Sequence, residues 1–196
     1  MILSNTELLK ALEHGWIKID PKPSPTQPTA TEECPYQTTA VDLRLSPEIL
    51  KPGEGIPINI DLREGKFREF AQRCYQPYVL TNEQPFALAP RKFVLGRTLE
   101  RVTLPLPTTD DTPCFAARIE GRSSYARCGL TVHLTAPTIH AGYDGVITLE
   151  ICNFGPYTIQ LYPKMPVCQL IIETVQGRPF RNDSQFHGQV HPDGRG

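Results

Sequence analysis

HAGYDGVITLEICN, residues 140–153, holds the run on which the fold depends. Along it Ile147, Leu149 and Ile151 fall on one side, and Thr148, Glu150 and Cys152 on the other. A period of two marks a strand with one buried face, and it predicts that Glu150 points away from the apolar core. Just upstream, Gly142 and Gly145 bracket Tyr143 in a turn. Their missing side chains leave room for a flat ligand to approach the backbone, with an aromatic ring to pack against it.

The same period recurs outward in both directions. Val41, Leu43 and Leu45 alternate with Asp42, Arg44 and Ser46, and similar runs occur at 56–61, 86–89, 93–104, 114–119, 130–135, 157–162 and 166–173, separated by Gly, Pro and Asn turns. Many short strands at this spacing predict an all-β sandwich or barrel. Helices are few. Ser4 and Glu7 form a capping box, Leu3 and Leu8 a hydrophobic staple, and Gly15 a stop, which predicts one N-terminal helix. The segment 62–74 places Phe67, Phe70 and Ala71 at helical spacing and is kept as a short helix. Four prolines between 21 and 28 predict an extended surface loop. Residues 176–196 carry few core side chains and predict a terminal arm that has no fold of its own. No repeat or composition break divides 1–175, so it reads as one domain, and 196 residues bury about 70% of the unfolded surface in such a core.

A net charge of −1 and a pI near 6.5 supply no broad positive field, which argues against nucleic acid or an anionic membrane as partner. Any anion site must be local. The start MILSNTELLK has no basic n-region or apolar core of a signal peptide, and no 18 apolar residues run together, so a soluble cytoplasmic protein is expected. The six cysteines (34, 74, 114, 128, 152 and 168) form no C-x-x-C pair and read as free, mostly buried thiols. The H-x-E and P-C-x-x-C motifs that hold zinc in cytidine deaminases are absent, and His14, His133, His140, His187 and His191 are scattered, so no metal site is expected.

The local anion site is sought in RIEGRSSYARCGLTVHLTA, where Arg118, Arg122 and Arg127 lie within ten residues and two of them bracket Ser123 and Ser124. A strand ending near Gly121, then a helical turn, would present guanidiniums, hydroxyls and backbone N–H groups, all of them donors. Phosphate oxygens accept several such bonds each. Taken alone, the arginines are more simply read as solvated or paired with Glu120.

Taken together, GRSSYARCGLTVHLTA, IHAGYDGVITLEICN and IQLYPKMPVCQL resemble the dCTP deaminase family, the deaminating branch of the trimeric dUTPase superfamily. AVDLRLS at 40–46, FALAPRKFVLGRTLERVTLP at 86–105 and SQFHGQ at 184–189 extend the resemblance in order, with 20–39 and 52–78 the loosest parts. The resemblance implies a distorted dUTPase-like barrel or jelly roll, a homotrimer with sites shared between chains, and a C-terminal arm, 176–196, that closes over the site. It implies metal-independent deamination of dCTP to dUTP and ammonia, with Mg2+ bound through the triphosphate and no catalytic zinc.

Residue by residue, it assigns Glu150 as proton shuttle, Ser123 as the residue that positions water, and Arg127 as the group stabilising charge. Arg122, Ser123, Ser124, Tyr125, Ala126 and Arg127 hold triphosphate and base. Ala136, Thr148 and Leu149 line the nucleotide pocket, Tyr143 packs under the deoxyribose, and Gln169 and Gln189 touch the nucleotide. Phe180 and Gln185 stand where relatives often carry Tyr and Lys, so the hydroxyl and charge are missing there. His140 replaces the usual aspartate and is left to bond the sugar 3′-hydroxyl or a water; an imidazole is the poorer base, so little hydrolysis of dUTP is expected. Two other readings stay open: a bifunctional dCTP deaminase and dUTP diphosphatase, and a catalytically silent nucleotide-binding regulator. Feedback by dTTP, seen in some relatives, is not legible in the sequence.

Overall fold

The computed structural model describes residues 1–53, 60–61, 63, 67–181 and 188–194. In chain order they form α1 (Asn5–Glu13), β1 (Lys18–Asp20), β2 (Tyr36–Gln37), β3 (Ala40–Arg44), β4 (Glu48–Pro52), α2 (Phe67–Cys74), β5 (Tyr75–Val79), β6 (Phe86–Leu88), β7 (Phe93–Thr103) and β8 (Phe115–Gly121). There follow α3 (Ser123–Ala126), β9 (Leu130–Thr131), β10 (Thr138–Ile139), β11 (Asp144–Asn153), β12 (Ile159–Leu161) and β13 (Pro166–Thr174). Strands dominate, and the fold is all-β.

β11 pairs antiparallel with β7 along nearly its whole length, and this pair is the spine of a sheet ordered β5-β4-β7-β11-β9, with β1 added to β7. Ile147, Leu149 and Ile151 are buried and pack with Val94 and Val102 of β7. Each such side chain contributes about 1.5–3 kcal/mol, far more than a half-exposed glutamate on the opposite face, so burial fixes the register and Glu150 is turned outward. A second sheet, ordered β10-β8-β13-β3-β2, supplies Val41, Leu43, Ile119, Leu170 and Ile172 to the same core. Both sheets are open among the described residues, so the expected barrel does not close. They meet instead at one corner, where Leu45 bridges Thr98 and the Ser46 amide donates to Arg97 O at 2.9 Å.

α1 begins as its cap predicts: the Glu7 amide donates to Ser4 Oγ at 3.3 Å, Leu3 and Leu8 both pack on the core, and Gly15 turns the chain at φ +70°. The Glu7 carboxylate accepts from Lys10 Nζ at 2.7 Å rather than capping Ser4. β4 escapes the sequence pattern because its buried Ile49 and Leu50 are adjacent, and β5 because Pro77 interrupts it; β5 is an edge strand, the place where a proline's missing N–H does least harm. The predicted helix within 62–74 spans Phe67–Cys74, and most of the run at 56–61 lies outside the described residues. Cys114, Cys152 and Cys168 are buried, Cys34 and Cys74 half-buried and Cys128 exposed, all as free thiols. No helix among the described residues is long and apolar enough to cross a membrane.

One ion pair lies inside this framework. Glu100 on β7 is fully buried and accepts from the Arg44 amide at 2.9 Å and Arg44 Nε at 2.7 Å, tying β3 to β7. Removing Glu100 leaves the Arg44 amide without its acceptor, while the Arg44 guanidinium, 36% exposed, stays hydrated, so Glu100→Ala should cost about 1–3 kcal/mol in urea unfolding. A loss below about 1 kcal/mol would contradict this role.

Candidate functional site

The arginine-serine turn sits where β8 ends. Arg122 is the extended N-cap of α3, and its carbonyl accepts from the Tyr125 and Ala126 amides at 3.0 and 2.9 Å. With those amides taken, the turn offers outward the exposed hydroxyls of Ser123 and Ser124 and the exposed Arg127 guanidinium. None of these three side chains has a partner among the described residues. The arginines do not act alike. Arg118 belongs to the fold, paired with Glu173 and lying 3.4 Å from Glu120. Arg122 is held 3.4 Å from Asp42 and lies over the Tyr125 ring, while Arg127 has no such tie.

Asp42 was missed by the sequence reading. Its place between Val41 and Leu43 looked like a solvent position, yet only 5% of it is exposed. Its carboxylate accepts from Gln37 Nε2 at 3.2 Å and Gln169 Nε2 at 3.0 Å, besides facing Arg122. The pairing of β13 with β3 sets Gln169 directly opposite Asp42, so Gln169 and Arg122, far apart in sequence, meet on one acid. A cleft whose walls include Glu33, Cys34, Asp42 and Arg44 opens beside this cluster, which puts the proline-rich loop at its edge. No pattern within a single strand could have revealed an acid satisfied by two other strands.

The other cluster is on β11. Glu150 is half-buried; its Oε2 accepts from the Leu134 amide at 2.9 Å and its own amide donates to Val132 O at 2.9 Å, so residues 132–134 wrap it. Its charge also helps burial and Cys74 to raise the Tyr75 phenol above its ordinary value. Thr148 shares this outward face and donates to Pro192 O at 3.3 Å. The Leu149 side chain lies wholly in the core, which leaves only its backbone for a ligand. Ala126, Ala136 and His140 are exposed, and the His140 imidazole has no partner among the described residues. Phe180 is 88% exposed, and Gln185 lies outside the described residues.

At Tyr143 the structure differs from the expected open approach to the backbone. A Cβ on Gly145 would lie 3.0 Å from Gln189 O and 3.1 Å from the Tyr143 hydroxyl, so the chain's own C-terminal segment takes that space. The Tyr143 hydroxyl donates to Val146 O at 2.5 Å and accepts from Gln189 Nε2 at 3.1 Å. No hydrogen bond or ion pair among the described residues links Ser123, Arg127 or Asp42 to Glu150.

Burial pushes the Tyr143 phenol up to about 12, against a lesser lowering by the Gln189 bond and Arg101. A raised pKa means that the folded state keeps its proton more tightly, so the associated stability is complete below about pH 10 and is lost as pH rises toward 12. Tyr36 is also pushed to about 12, so a phenolate titration of wild type minus Tyr143→Phe isolates the residue. The expected difference signal has its midpoint near 12; a midpoint near 10 would show an open hydroxyl.

Comparison with known proteins identifies the family. The dCTP deaminase-like family profile matches residues 2–175. A protein of Methanosphaera stadtmanae named "dCTP deaminase, dUMP-forming" is 36% identical over 198 residues, covering 97% of this chain and 91% of that one. A "dCTP deaminase" of Natronomonas pharaonis is 35% identical, covering 98% and 92%. The crystal structure of 2′-deoxycytidine 5′-triphosphate deaminase from Agrobacterium tumefaciens superposes with a TM-score of 0.59 at 17% identity over 87% of this chain; this chain spans 47% of that one, and the likeness is one of fold. The chain belongs to the dCTP deaminase-like family.

Proposed function

We propose that the protein deaminates dCTP and carries the product on to dUMP. The observation that carries the first step is Glu150, held outward by the Leu134 amide on a strand whose other face is core. In this reading Glu150 takes a proton from a water placed with Ser123, and the resulting hydroxide adds to C4 of the pyrimidine. The proton then passes to the ring nitrogen and the departing amine, so that dCTP and water give dUTP and ammonia. Arg127, unpaired among the described residues, faces the charge that develops near C4. A carboxylate shuttle supplies about 10²–10⁴-fold in rate, and placement by fixed donors supplies the rest.

The sequence favoured dUTP as the final product, because His140 stands where a carboxylate is usual. Two findings favour dUMP instead. The Methanosphaera relative bears the dUMP-forming name, and Asp42 provides a buried carboxylate at the phosphate end beside Arg122 and Gln169. Asp42 would accept the proton of a water that attacks the α-phosphate, releasing pyrophosphate. Mg2+ keeps several waters and binds through substrate phosphates, so it needs few protein ligands. Among the described residues no group of three or more His, Cys, Asp or Glu is placed to hold a metal, and Asp42 fits as a single carboxylate toward the ion, which would neutralise phosphate charge.

Ser123 and Arg127 do not meet Glu150 within one chain, which supports a homotrimer whose sites take the turn from one subunit and the acid from the next. Gln189 at Tyr143 supports a C-terminal segment that closes the sugar side, with Tyr143 excluding a 2′-hydroxyl.

Incubation with dCTP or dUTP and Mg2+, following ammonia and pyrophosphate, tests the whole reading. Ammonia and pyrophosphate should appear together from dCTP. Glu150→Gln should lower ammonia release at least about 10²-fold while dCTP still binds, and Asp42→Asn should cut pyrophosphate release more than ammonia. Ammonia without pyrophosphate would place the end point at dUTP; pyrophosphate from dUTP without ammonia would leave a diphosphatase; binding with neither product would leave a silent regulator.

A further inference from the structure

The last described segment, residues 188–194, lies on the chain's own six-stranded sheet. The Gly188 amide donates to Asp144 O at 2.8 Å and the Val146 amide to Gln189 O at 3.1 Å, while Gln189 Nε2 reaches Val146 O at 2.8 Å. Gln189 and Asp193 are 6% and 3% exposed, a degree of burial seldom reached by polar side chains without fixed partners. The segment has little apolar area of its own, so polar contacts must hold it. One of them lies beyond β11. His191 Nδ1 is 3.2 Å from both carboxylate oxygens of Glu48 on β4, and Arg97 Nε of β7 lies 3.3 Å from the same carboxylate. A carboxylate only accepts, so Nδ1 is the donor.

We infer that His191 is a positioning residue: its bond to Glu48 pins the C-terminal segment to its own sheet, so that Gln189 fixes the Tyr143 ring of the same chain. The geometry is continuous. Gln189 lies two residues before His191, and Pro192, the next residue, receives the Thr148 hydroxyl on the face that carries Glu150. Two anchors, one on β4 and one on β11, define the segment's path where β11 alone would leave it free to pivot. Arg97 Nε donates to the same carboxylate and helps to hold it in one orientation. The catalytic half of the inference rests on the proposal above that Tyr143 lies under the sugar.

The Val146 amide reports the anchor directly, because its acceptor is Gln189 O. In the unliganded full-length chain, His191→Ala should speed hydrogen exchange at Val146 about tenfold, while Leu149, deep in the pairing of β11 with β7, is unchanged. The same variant should lose about tenfold in kcat/KM for dCTP, mainly through KM. His191→Asn, whose amide N–H takes the place of Nδ1, should recover both. Unchanged exchange at Val146, or exchange rising equally at Leu149, would overturn the inference, as would faster exchange at Val146 with kcat/KM intact. A wild-type chain inert toward dCTP overturns the proposed function and the catalytic half of this inference, while the exchange result still decides the anchor.

Discussion

A strand has two faces, and β11 commits one of them wholly to the core. Ile147, Leu149 and Ile151 cannot leave it without exposing three aliphatic side chains, and Glu150 cannot enter it without desolvating a carboxylate. The direction of the acid is thus decided by its neighbours rather than by itself. The Leu134 amide then fixes which oxygen is engaged, and Thr148 on the same face receives the C-terminal segment. A shift of one residue would reverse all of this, which is why the pairing of β11 with β7 carries so much of the molecule.

The cluster around Asp42 is built by a different constraint, the meeting of three strands on one buried acid. Asp42, Gln169 and Arg122 come from β3, β13 and the end of β8, and each satisfies a polar group that would otherwise be stranded. This arrangement divides the arginines. Arg122 is spent partly on Asp42 and Tyr125, which gives it one orientation; Arg127 has no such tie and is able to follow charge on a ligand. Guanidiniums and a buried carboxylate thus share one local cluster in a chain whose net charge is −1.

What could be read from the sequence was local. Alternation placed the β7 and β11 strands and the outward turn of Glu150, and a cap and a glycine placed α1, because those signals lie within one element. β4 was hidden by its adjacent buried pair, Ile49 and Leu50, and β5 by Pro77, whose cost at a strand depends on which neighbour is missing. Asp42 was hidden because its partners come from 5 to 127 residues away. The space at Gly145, expected to admit a ligand, is taken by Gln189, 44 positions along the chain, and no spacing rule announces that. Neither could alternation tell that the sheets stay open, since closure depends on pairing at the edges.

The account requires the two clusters to act on one nucleotide, with the acid at the base and the serine-arginine turn at the phosphates. A crystal structure of the Glu150→Gln protein with dCTP and Mg2+ measures this directly. Side chain 150 should lie within hydrogen-bonding distance of the C4 amino group, with Ser123 and Arg127 of an adjoining subunit beside it and the triphosphate held by that subunit's Arg122 and Ser124. A nucleobase bound elsewhere, with side chain 150 facing bulk water, would contradict it.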